Sequence, residues 1–474
     1  MRNLTLLTDF YELTMMYGYM KCGQKDKEAV FDLFFRGREE LSYAVAAGLE
    51  QAIDYIKNIS FSEDDIAYLR GLNCFDEEFL SELRKFKFTG DIYAVKEGTI
   101  IFPYEPILIV KAPIFQAQFV ETALLTLINH QTLIATKASK IANNTKAAVL
   151  EFGLRRAQGP DAGIYGARAA IIGGCAATSN VIAGKMFDIK VSGTHAHSWV
   201  MSFEDEITAF RKYAELYPDN CLLLVDTYNT LKSGVPNAIK VFDELRAKGH
   251  EPVGIRIDSG DLAYLSNQAR KMLDEAGYPN AKICASGDID ENVLIALNSQ
   301  NAKIDTYGIG TKLITSFSNP SLGGVYKLAA IEKDGVLVPK IKISNTIEKV
   351  TNPGLKKVVR FYDKKTKMAI ADLMLLIDEP NPDGSPYMIF DPENPWKKMT
   401  IENYYVEELL VKVFDRGEQV YFSPEIKEIA AYHKRSSASF WEQYKRVTLP
   451  EIFKVDLSEK LYETKQKLLA ENKG

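Results

Sequence analysis

The chain has 474 residues, more than a single hydrophobic core usually supports, so we expect two or three domains. Hydrophobic residues make up 46% of the chain and charged residues 26%, an ordinary globular composition that argues against long disordered segments. The formal net charge of -5 at pH 7 argues against a dedicated nucleic-acid-binding protein, which would normally carry an excess of basic residues.

Cysteine usage and the N-terminus bear on the location of the protein. The five cysteines form no CxxC pair, so we expect reduced thiols rather than a disulfide framework or a zinc knuckle. Asp9 and Glu12 lie where a signal peptide would need an apolar core. The most apolar stretch, 169–184, is shorter than the roughly 20 residues of a membrane span. We therefore expect a cytoplasmic protein without a membrane segment.

In chain order, residues 1–135 mix helical patterns with a segment, 90–113, that predicts short antiparallel strands. From there to residue 330, short apolar runs alternate with amphipathic helical patterns, and such continuous hydrophobicity is typical of strands buried on both faces. The predicted strands are 147–152, 189–194, 221–226, 253–258, 282–287, 304–309 and 324–329. The predicted helices are 203–217, 235–249 and 261–277, of which the last two end in Gly249 and Gly277, suitable C-caps.

This alternation predicts parallel β/α units, closed as a barrel or open as a doubly wound sheet. Polar residues follow nearly every predicted strand, namely Arg155, Arg156, His195, His197, Asp226, Tyr228, Arg256, Asp258, Asp288 and Thr311. All strand ends of a barrel open onto one face, whereas an open sheet concentrates its ligand contacts at one switch point, so this distribution favours the barrel. We therefore predict an α/β protein with a β/α barrel at 136–330. Residues 1–135 and 331–474 are predicted to pack together as an accessory domain.

Three predicted strand-end turns indicate a phosphate site. IDSGD at 257–261 and CASGD at 284–288 share a motif, and GIGT at 308–311 follows the next strand. A glycine there lets the backbone approach a ligand closely, and the following helix presents free N–H groups to an anion. One such turn would be ordinary capping chemistry, but three on one face of a barrel favour a phosphate cradle.

Two histidines, His195 and His197, end the predicted strand 189–194. At i and i+2 they would point the same way if the strand continued, so they could bind a metal. The other three histidines follow no predicted strand, so a metal would lack further ligands. One histidine acting as a nucleophile, supported by Asp226, is more economical, and two solvent-facing loop histidines are the alternative.

Paired arginines, Arg155 and Arg156, follow the first predicted strand. Guanidinium groups pair bidentately with carboxylate or phosphate, so the pair suits an anionic substrate. Surface arginine pairs are common, and this feature alone carries little weight.

Several motifs together resemble the nicotinate phosphoribosyltransferases, in the order seen in that family. They are TDFYELTMMYGY (8–19), EFGLRRA (151–157), GTHAHSW (193–199), VDTYNT (225–230), RIDSGD (256–261), ASGD (285–288), GIGT (308–311) and SLGGVYKL (321–328). The resemblance implies an irregular, type II phosphoribosyltransferase-like barrel and a homodimer with shared active sites. It also implies that nicotinate and phosphoribosyl pyrophosphate give nicotinate mononucleotide and pyrophosphate for NAD biosynthesis. Magnesium and ATP would take part, with ATP hydrolysis coupled through a phosphohistidine.

The resemblance also implies roles for individual residues. His197 matches the phosphorylated histidine and Asp226 the carboxylate that orients it, while His195 falls at a variable position and is interpreted as a bystander. The nicotinate-site positions are Tyr11 (from the neighbouring subunit), Phe152, Arg155, Thr194 and Arg256. The phosphoribosyl-site positions are Asp258, Gly287, Asp288, Gly310 and Thr311. No protein metal ligand is assigned.

Ser179 bears on substrate choice. It stands where the related nicotinamide-using enzyme has an aspartate, and a carboxylate there would repel nicotinate, so serine favours the acid. The alternatives are a nicotinamide-specific phosphoribosyltransferase, a metal-dependent amidohydrolase barrel, and a non-catalytic phosphoribosyl-binding protein. The histidine count disfavours the amidohydrolase, and the presence of His197, Asp226 and both SGD loops argues against loss of catalysis.

Overall fold

The structure is a computed structural model that describes residues 3–37, 41–344 and 349–471. The chain forms two structural units, one made of Met1–Leu133 with Ser321–Gly474 and the other of Ile134–Pro320. Within the described ranges, no helix combines the length and the apolar character needed to cross a bilayer.

Helices and strands are interspersed along the whole chain. Up to residue 145 they are α1 (Phe10–Lys21), β1 (Glu28–Phe35), β2 (Ala44–Val45), α2 (Leu49–Asn58), α3 (Glu63–Gly71), α4 (Glu77–Arg84), β3 (Asp91–Val95), β4 (Ile100–Ile101), β5 (Leu108–Pro113), α5 (Ile114–Phe119) and α6 (Glu121–Asn143). From 146 to 320 they are β6 (Ala148–Glu151), α7 (Pro160–Ile172), β7 (Ala177–Thr178), α8 (Val181–Phe187), α9 (His197–Met201), α10 (Glu206–Leu216), β8 (Leu222–Leu224), α11 (Val235–Ala247), β9 (Gly254–Ile257), α12 (Leu262–Glu275), β10 (Lys282–Gly287), α13 (Glu291–Ser299), β11 (Thr306–Ile309) and α14 (Thr311–Ile314). After residue 320 they are β12 (Gly324–Lys333), β13 (Val336–Pro339), β14 (Lys356–Asp363), β15 (Ala369–Leu376), β16 (Tyr387–Phe390), β17 (Lys398–Ile401), β18 (Tyr404–Glu408), β19 (Leu410–Asp415), β20 (Glu418–Gln419), α15 (Ile426–Ala438), α16 (Glu442–Lys445), β21 (Val455–Leu457) and α17 (Glu459–Glu471).

The first unit contains a seven-stranded antiparallel sheet in the order β13-β12-β1-β5-β3-β19-β20. Strand β1 lies between β12 and β5, so the sheet combines strands from both segments of this unit. The antiparallel strands predicted within 90–113 are present, because β3 pairs with β5. A second sheet, β18-β14-β15-β21, comes wholly from the C-terminal segment.

The second unit contains a parallel sheet in the order β7-β6-β11-β10-β9-β8. Leu223, Ile255 and Ile283, from adjacent strands, belong to one buried cluster with Phe242 of α11 and Leu273 of α12. The three predicted helices form as α10, α11 and α12. Gly249 and Gly277 follow α11 and α12 with φ of 88° and 81°, a left-handed conformation that glycine adopts without strain.

Two of the seven predicted parallel strands are wrong. Residues 324–329 form part of β12, which pairs antiparallel with β1 in the other unit. The burial of β12 is interrupted, unlike that of strands covered on both faces, so its apolar run is misleading. Residues 189–194 contribute a single parallel bridge, from Val191 to Thr178. Among the described residues, the pairing that runs from β7 to β8 does not join these two end strands.

Candidate active site

A cavity of about 240 Å³ opens where the parallel strands end. It is lined by residues at the ends of four neighbouring strands, β6, β11, β10 and β9. These residues are Phe152, Arg155, Arg156, Arg256, Asp258, Ser286, Gly287, Asp288, Gly308, Gly310 and Thr311. The structure thus brings together the SGD and GIGT turns, the paired arginines and Phe152. The sheet order causes this, because parallel strands present all their carboxyl ends on one side.

Glycines shape two walls of this cavity. A Cβ atom on Gly308 would lie 2.5 Å from the ring of Phe152, so only glycine leaves room for that ring. Gly287 has φ +126°, and its Cβ would lie 3.0 Å from the carbonyl oxygen of Asp258. Any side chain at Gly287 would strain this turn, which is part of the predicted phosphate cradle.

Arg256 holds the centre of the site through all three guanidinium nitrogens. Its Nε donates to Ser286 Oγ at 2.7 Å, its Nη1 to Thr194 Oγ1 at 3.1 Å and its Nη2 to Asp258 Oδ1 at 2.7 Å. Its guanidinium carbon also lies 5.6 Å from the centre of the Phe152 ring. Two predicted nicotinate-site residues, Thr194 and Arg256, are therefore in direct contact.

The charges around the cavity are unequal. Partial burial opposes ionisation of Asp258, but hydrogen bonding from Ser286 and the charge of Arg256 hold the pKa of this carboxyl below its usual value. Asp258 in turn offsets the charge of Arg256. Arg155 and Arg156 are exposed, and neither forms an ion pair with any residue that the structure describes. These two arginines therefore provide positive charge for an anionic ligand.

His197 begins helix α9 at the edge of the site. Its Nδ1 lies 3.0 Å from Thr227 Oγ1, and its Nε2 lies 3.9 Å from Asp258 Oδ2. The side chain keeps 39% of its surface exposed. Because Nδ1 is engaged with a hydroxyl, Nε2 is the more available nitrogen.

The predicted contact between Asp226 and His197 is wrong. Asp226 Oδ2 instead accepts hydrogen bonds from the backbone N–H of Asp258 at 2.8 Å and from Ser259 Oγ at 2.7 Å. The reason is the sheet order, which puts the end of β8 beside the end of β9. Asp226 therefore orders the first SGD loop. Its Oδ1 is buried without a hydrogen-bond partner.

The two histidines of the HxH pattern do not point the same way, because α9 begins at His197 and ends the extended backbone. Nε2 of His195 accepts a hydrogen bond from the backbone N–H of Leu224 at 3.1 Å. The lone pair that a metal would need is therefore already used. Within residues 3–37, 41–344 and 349–471, no group of three His, Cys, Asp or Glu side chains is arranged to hold a metal ion.

Ser179 lies beside the cavity rather than in its lining. Its backbone N–H donates to the carbonyl oxygen of Glu151 at 2.9 Å, at the ends of β7 and β6. The buried carboxylate of Glu151 accepts hydrogen bonds from the N–H of Gly153 and the hydroxyl of Thr178. Burial raises the pKa of Glu151, although these two hydrogen bonds oppose the shift. Glu151 thus holds the loop that carries Phe152 against the end of β7.

Tyr11 belongs to helix α1 of the other unit and is 44% exposed. Its phenol pKa is raised by partial burial and by the nearby Glu121 carboxylate. Phe10, next to it, is 51% exposed, so α1 presents aromatic surface.

Sequence reasoning does not assign roles to several residues at this site. These are Arg156 and Ser286 in the cavity lining, Thr227 beside His197, Ser259 beside Asp226, and Glu151. A signal exists for Glu151, since a lone acidic residue ends an otherwise apolar strand. Thr227 and Ser259 look like ordinary loop residues and show their roles only through contacts.

Models of nicotinate phosphoribosyltransferases match this chain in three parts. The N-terminal domain model matches residues 6–129, the nicotinate phosphoribosyltransferase (NAPRTase) family model residues 147–369, and the C-terminal domain model residues 355–465. The nicotinate phosphoribosyltransferase of Bacillus subtilis is 48% identical over 474 residues, which are 100% of this chain and 96% of that relative. The chain belongs to the nicotinate phosphoribosyltransferase family. It is a phosphoribosyltransferase enzyme.

More distant members of this family and solved structures agree. The nicotinate phosphoribosyltransferase of Caenorhabditis elegans is 35% identical, covering 98% of this chain and 93% of that protein. The crystal structure of human nicotinic acid phosphoribosyltransferase superposes with a TM-score of 0.86 at 29% identity, covering 97% of this chain and 99% of that chain. The nicotinate-nucleotide pyrophosphorylase of Pyrococcus furiosus, with a TM-score of 0.70 and 22% identity, shares the fold.

Proposed function

We propose that this enzyme joins nicotinate to phosphoribosyl pyrophosphate, giving nicotinate mononucleotide and pyrophosphate for NAD biosynthesis. One observation carries the proposal. A single cavity combines an aromatic ring and three arginines with two glycine-containing turns, at Gly287–Asp288 and Gly310–Thr311. The first set suits an aromatic carboxylate, and the second suits a phosphate. Named relatives at high identity support the same substrates.

The chemistry requires positioning more than covalent help from the protein. The pyridine nitrogen forms a bond to the anomeric carbon of the ribose while the bond from that carbon to pyrophosphate breaks and the electron pair leaves with pyrophosphate. Such displacements pass through an oxocarbenium-like state, as glycoside cleavage does. Phe152 and Arg256 would orient the ring, and Arg155 and Arg156 would balance the charge of the polyanion.

Coupling to ATP through His197 belongs to the same proposal. Nε2 would attack the terminal phosphorus of ATP, the bond to ADP would break, and the phosphohistidine would later be hydrolysed. The support is the exposure of His197 and the contact of Nδ1 with Thr227, which leaves Nε2 available. Incubation with γ-labelled ATP should give acid-labile, base-stable label that is absent from His197→Ala. Label that survives in His197→Ala and is lost in His195→Ala would overturn the assignment.

Magnesium fits the oxygen donors of this site. Asp226 has a buried carboxylate oxygen without a hydrogen-bond partner, and Asp258 adds a second carboxylate beside it. Magnesium is usually held by one or two carboxylates together with substrate phosphates. When bound, it would neutralise charge on pyrophosphate. Asp226 and Asp258 are the residues that would hold it.

We also propose that the parallel sheet belongs to an irregular barrel. Strands consecutive in the chain are neighbours, and the last of them, β11, pairs with the first, β6. This circular order is typical of a barrel. Val191 continues it through its bridge to Thr178.

A cytoplasmic homodimer with shared active sites completes the proposal. Phe10, Tyr11 and Met15 of α1 are exposed, and a surface of this kind is suited to burial against a second copy. The free cysteines accord with a reducing compartment.

Product analysis tests the central reaction. The purified enzyme with phosphoribosyl pyrophosphate should convert nicotinate to its mononucleotide, and nicotinamide far less, by mass spectrometry. ATP should raise the final amount of product. Preferred conversion of nicotinamide would favour the nicotinamide-specific alternative. No product from either would favour the non-catalytic phosphoribosyl-binding alternative.

A further inference from the structure

The circular order of the parallel strands has one interruption. Val191 bridges to Thr178, but the next segment, 192–196, forms no strand beside β8, which ends the sheet. An edge strand leaves backbone N–H groups unpaired, and a buried unpaired N–H is costly. The N–H of Leu224, a residue that is 1% exposed, faces this problem.

The imidazole of His195 fills the interruption. Its Nε2 accepts the N–H of Leu224 at 3.1 Å, so this nitrogen carries no proton. The proton is on Nδ1, which lies 3.4 Å from the carbonyl oxygen of Ala196. The ring is 8% exposed and packs edge-on against Tyr213 of α10, with ring centres 4.7 Å apart. These contacts define a neutral imidazole with one tautomer.

The charged groups around His195 favour the same neutral form. Burial, and then the charges of Arg256 and His197, lower the pKa of His195 to about 4, although its contact with Ala196 opposes the shift. Tyr213, on the packed face, is itself a neutral phenol because burial raises its pKa. A second proton would set an imidazole N–H against the N–H of Leu224.

We propose that His195 is a positioning residue that joins the segment after Val191 to β8, its imidazole taking the place of a strand carbonyl. Its neighbours in sequence explain why this matters. Thr194 accepts a hydrogen bond from Arg256, and His197 contacts Thr227, which follows β8. Both flanking side chains belong to the site, and His195 is the anchor between them. Its effect on turnover rests on the proposed function, whereas its tautomer does not.

Two substitutions separate the hydrogen bond from packing. His195→Gln keeps an acceptor oxygen near the position of Nε2, whereas His195→Leu fills similar volume without an acceptor. We expect His195→Leu to lose on the order of a hundredfold in kcat/KM for nicotinate, because small displacements of positioned groups have effects of that size. His195→Gln should recover most of this loss. His250→Gln, which changes a surface histidine paired with Asp219, is the matched control and should retain activity.

A spectroscopic measurement on the wild-type enzyme needs no substrate. Long-range proton–nitrogen NMR of histidine-labelled protein should show one imidazole fixed as the Nδ1–H tautomer from pH 5 to 8, and this signal should be missing from His195→Gln. A charged ring or an Nε2–H tautomer for His195 would overturn the proposal, whatever the substrate is. Activity of folded His195→Leu within about twofold of wild type, or no advantage of Gln over Leu, would also overturn it. If His195→Leu does not fold, the tautomer and the activity of His195→Gln decide.

Discussion

Arg360 and Asp372, in the unit that contains the antiparallel sheet, form a pair with 0% of either side chain exposed and an Nη2–Oδ2 distance of 2.6 Å. Arg256 and Asp258, at the cavity, pair at 2.7 Å but keep 13% and 31% of their side chains exposed. The first arginine is enclosed by aromatic rings, and the second shares its remaining donors with two hydroxyl groups. The same chemistry therefore serves two purposes. The enclosed pair contributes to stability, while the open pair can exchange contacts with a ligand.

The largest expected effect is on the enclosed pair. Arg360→Met should lower the free energy of unfolding by about 3–5 kcal/mol, because Asp372 would remain buried without its cation. Glu105 beside it makes this worse, since burial and Asp372 already raise the pKa of Glu105. Urea denaturation followed by circular dichroism measures the change.

Arg246→Met is the matched control, because Arg246 pairs with Glu251 on the surface. Solvent screens that pair, so the midpoint of unfolding should move little. Similar losses for the two variants would mean that burial does not distinguish these pairs.

The next effect is on the open pair. Arg256→Lys keeps the charge but cannot hold Thr194, Ser286 and Asp258 together, because an ammonium group lacks the planar fork of guanidinium. We expect kcat/KM for nicotinate to fall about a hundredfold, or about 2.7 kcal/mol, with a small change in Tm. Steady-state kinetics and thermal unfolding measure the two quantities. Arg211→Lys, in a surface pair with Glu244, is the control, and a loss of stability without a loss of activity at Arg256 would reverse the roles of the two pairs.

A smaller effect is expected at Ser179, which lies beside the cavity lining. Ser179→Asp should lower the ratio of kcat/KM for nicotinate to that for nicotinamide by about tenfold, since the new carboxylate repels the acid and can accept from the amide. The ratio cancels general losses of stability. Assays should extend to mildly alkaline pH, because burial near Glu151 would raise the pKa of the new carboxyl. An unchanged ratio, equal to that of the surface variant Ser299→Asp, would remove Ser179 from substrate selection.

The smallest effect concerns Glu12, a buried carboxyl in α1. Asp258 lies next to a cation, whereas burial raises the pKa of Glu12 from 4.5 to about 7, opposed by hydrogen bonds from Thr8 and Thr122. A raised carboxyl pKa means that its contribution is fully present below pH 4.5 and is lost as pH rises through 7. Relative to Glu12→Gln, the wild type should lose about 1–2 kcal/mol between these pH values, after allowance for solvent screening. Parallel stability curves for the two proteins from about pH 4.5 to 8 would contradict this.

Sequence reasoning goes furthest where one local pattern determines one structure. The apolar runs before Asp226, Asp258 and Asp288 form adjacent parallel strands, so the residues after them meet at one side of the sheet. The pattern fails at 324–329, because an apolar run does not reveal which sheet it joins. It also misses Glu151 and the orientation of Asp226, since both depend on pairing between strands distant in the chain. The family motif leaves His195 as a bystander because its partner is a backbone N–H, which no side-chain motif records.

The most direct test is a crystal structure of the enzyme with nicotinate mononucleotide. We predict that the phosphate will lie against the backbone at Gly287–Asp288 and Gly310–Thr311. The pyridine ring should lie against Phe152, with its carboxylate within hydrogen-bonding distance of an arginine among Arg155, Arg156 and Arg256. A nucleotide bound outside this cavity, or one whose carboxylate faces solvent while its phosphate takes the arginines, would contradict the account.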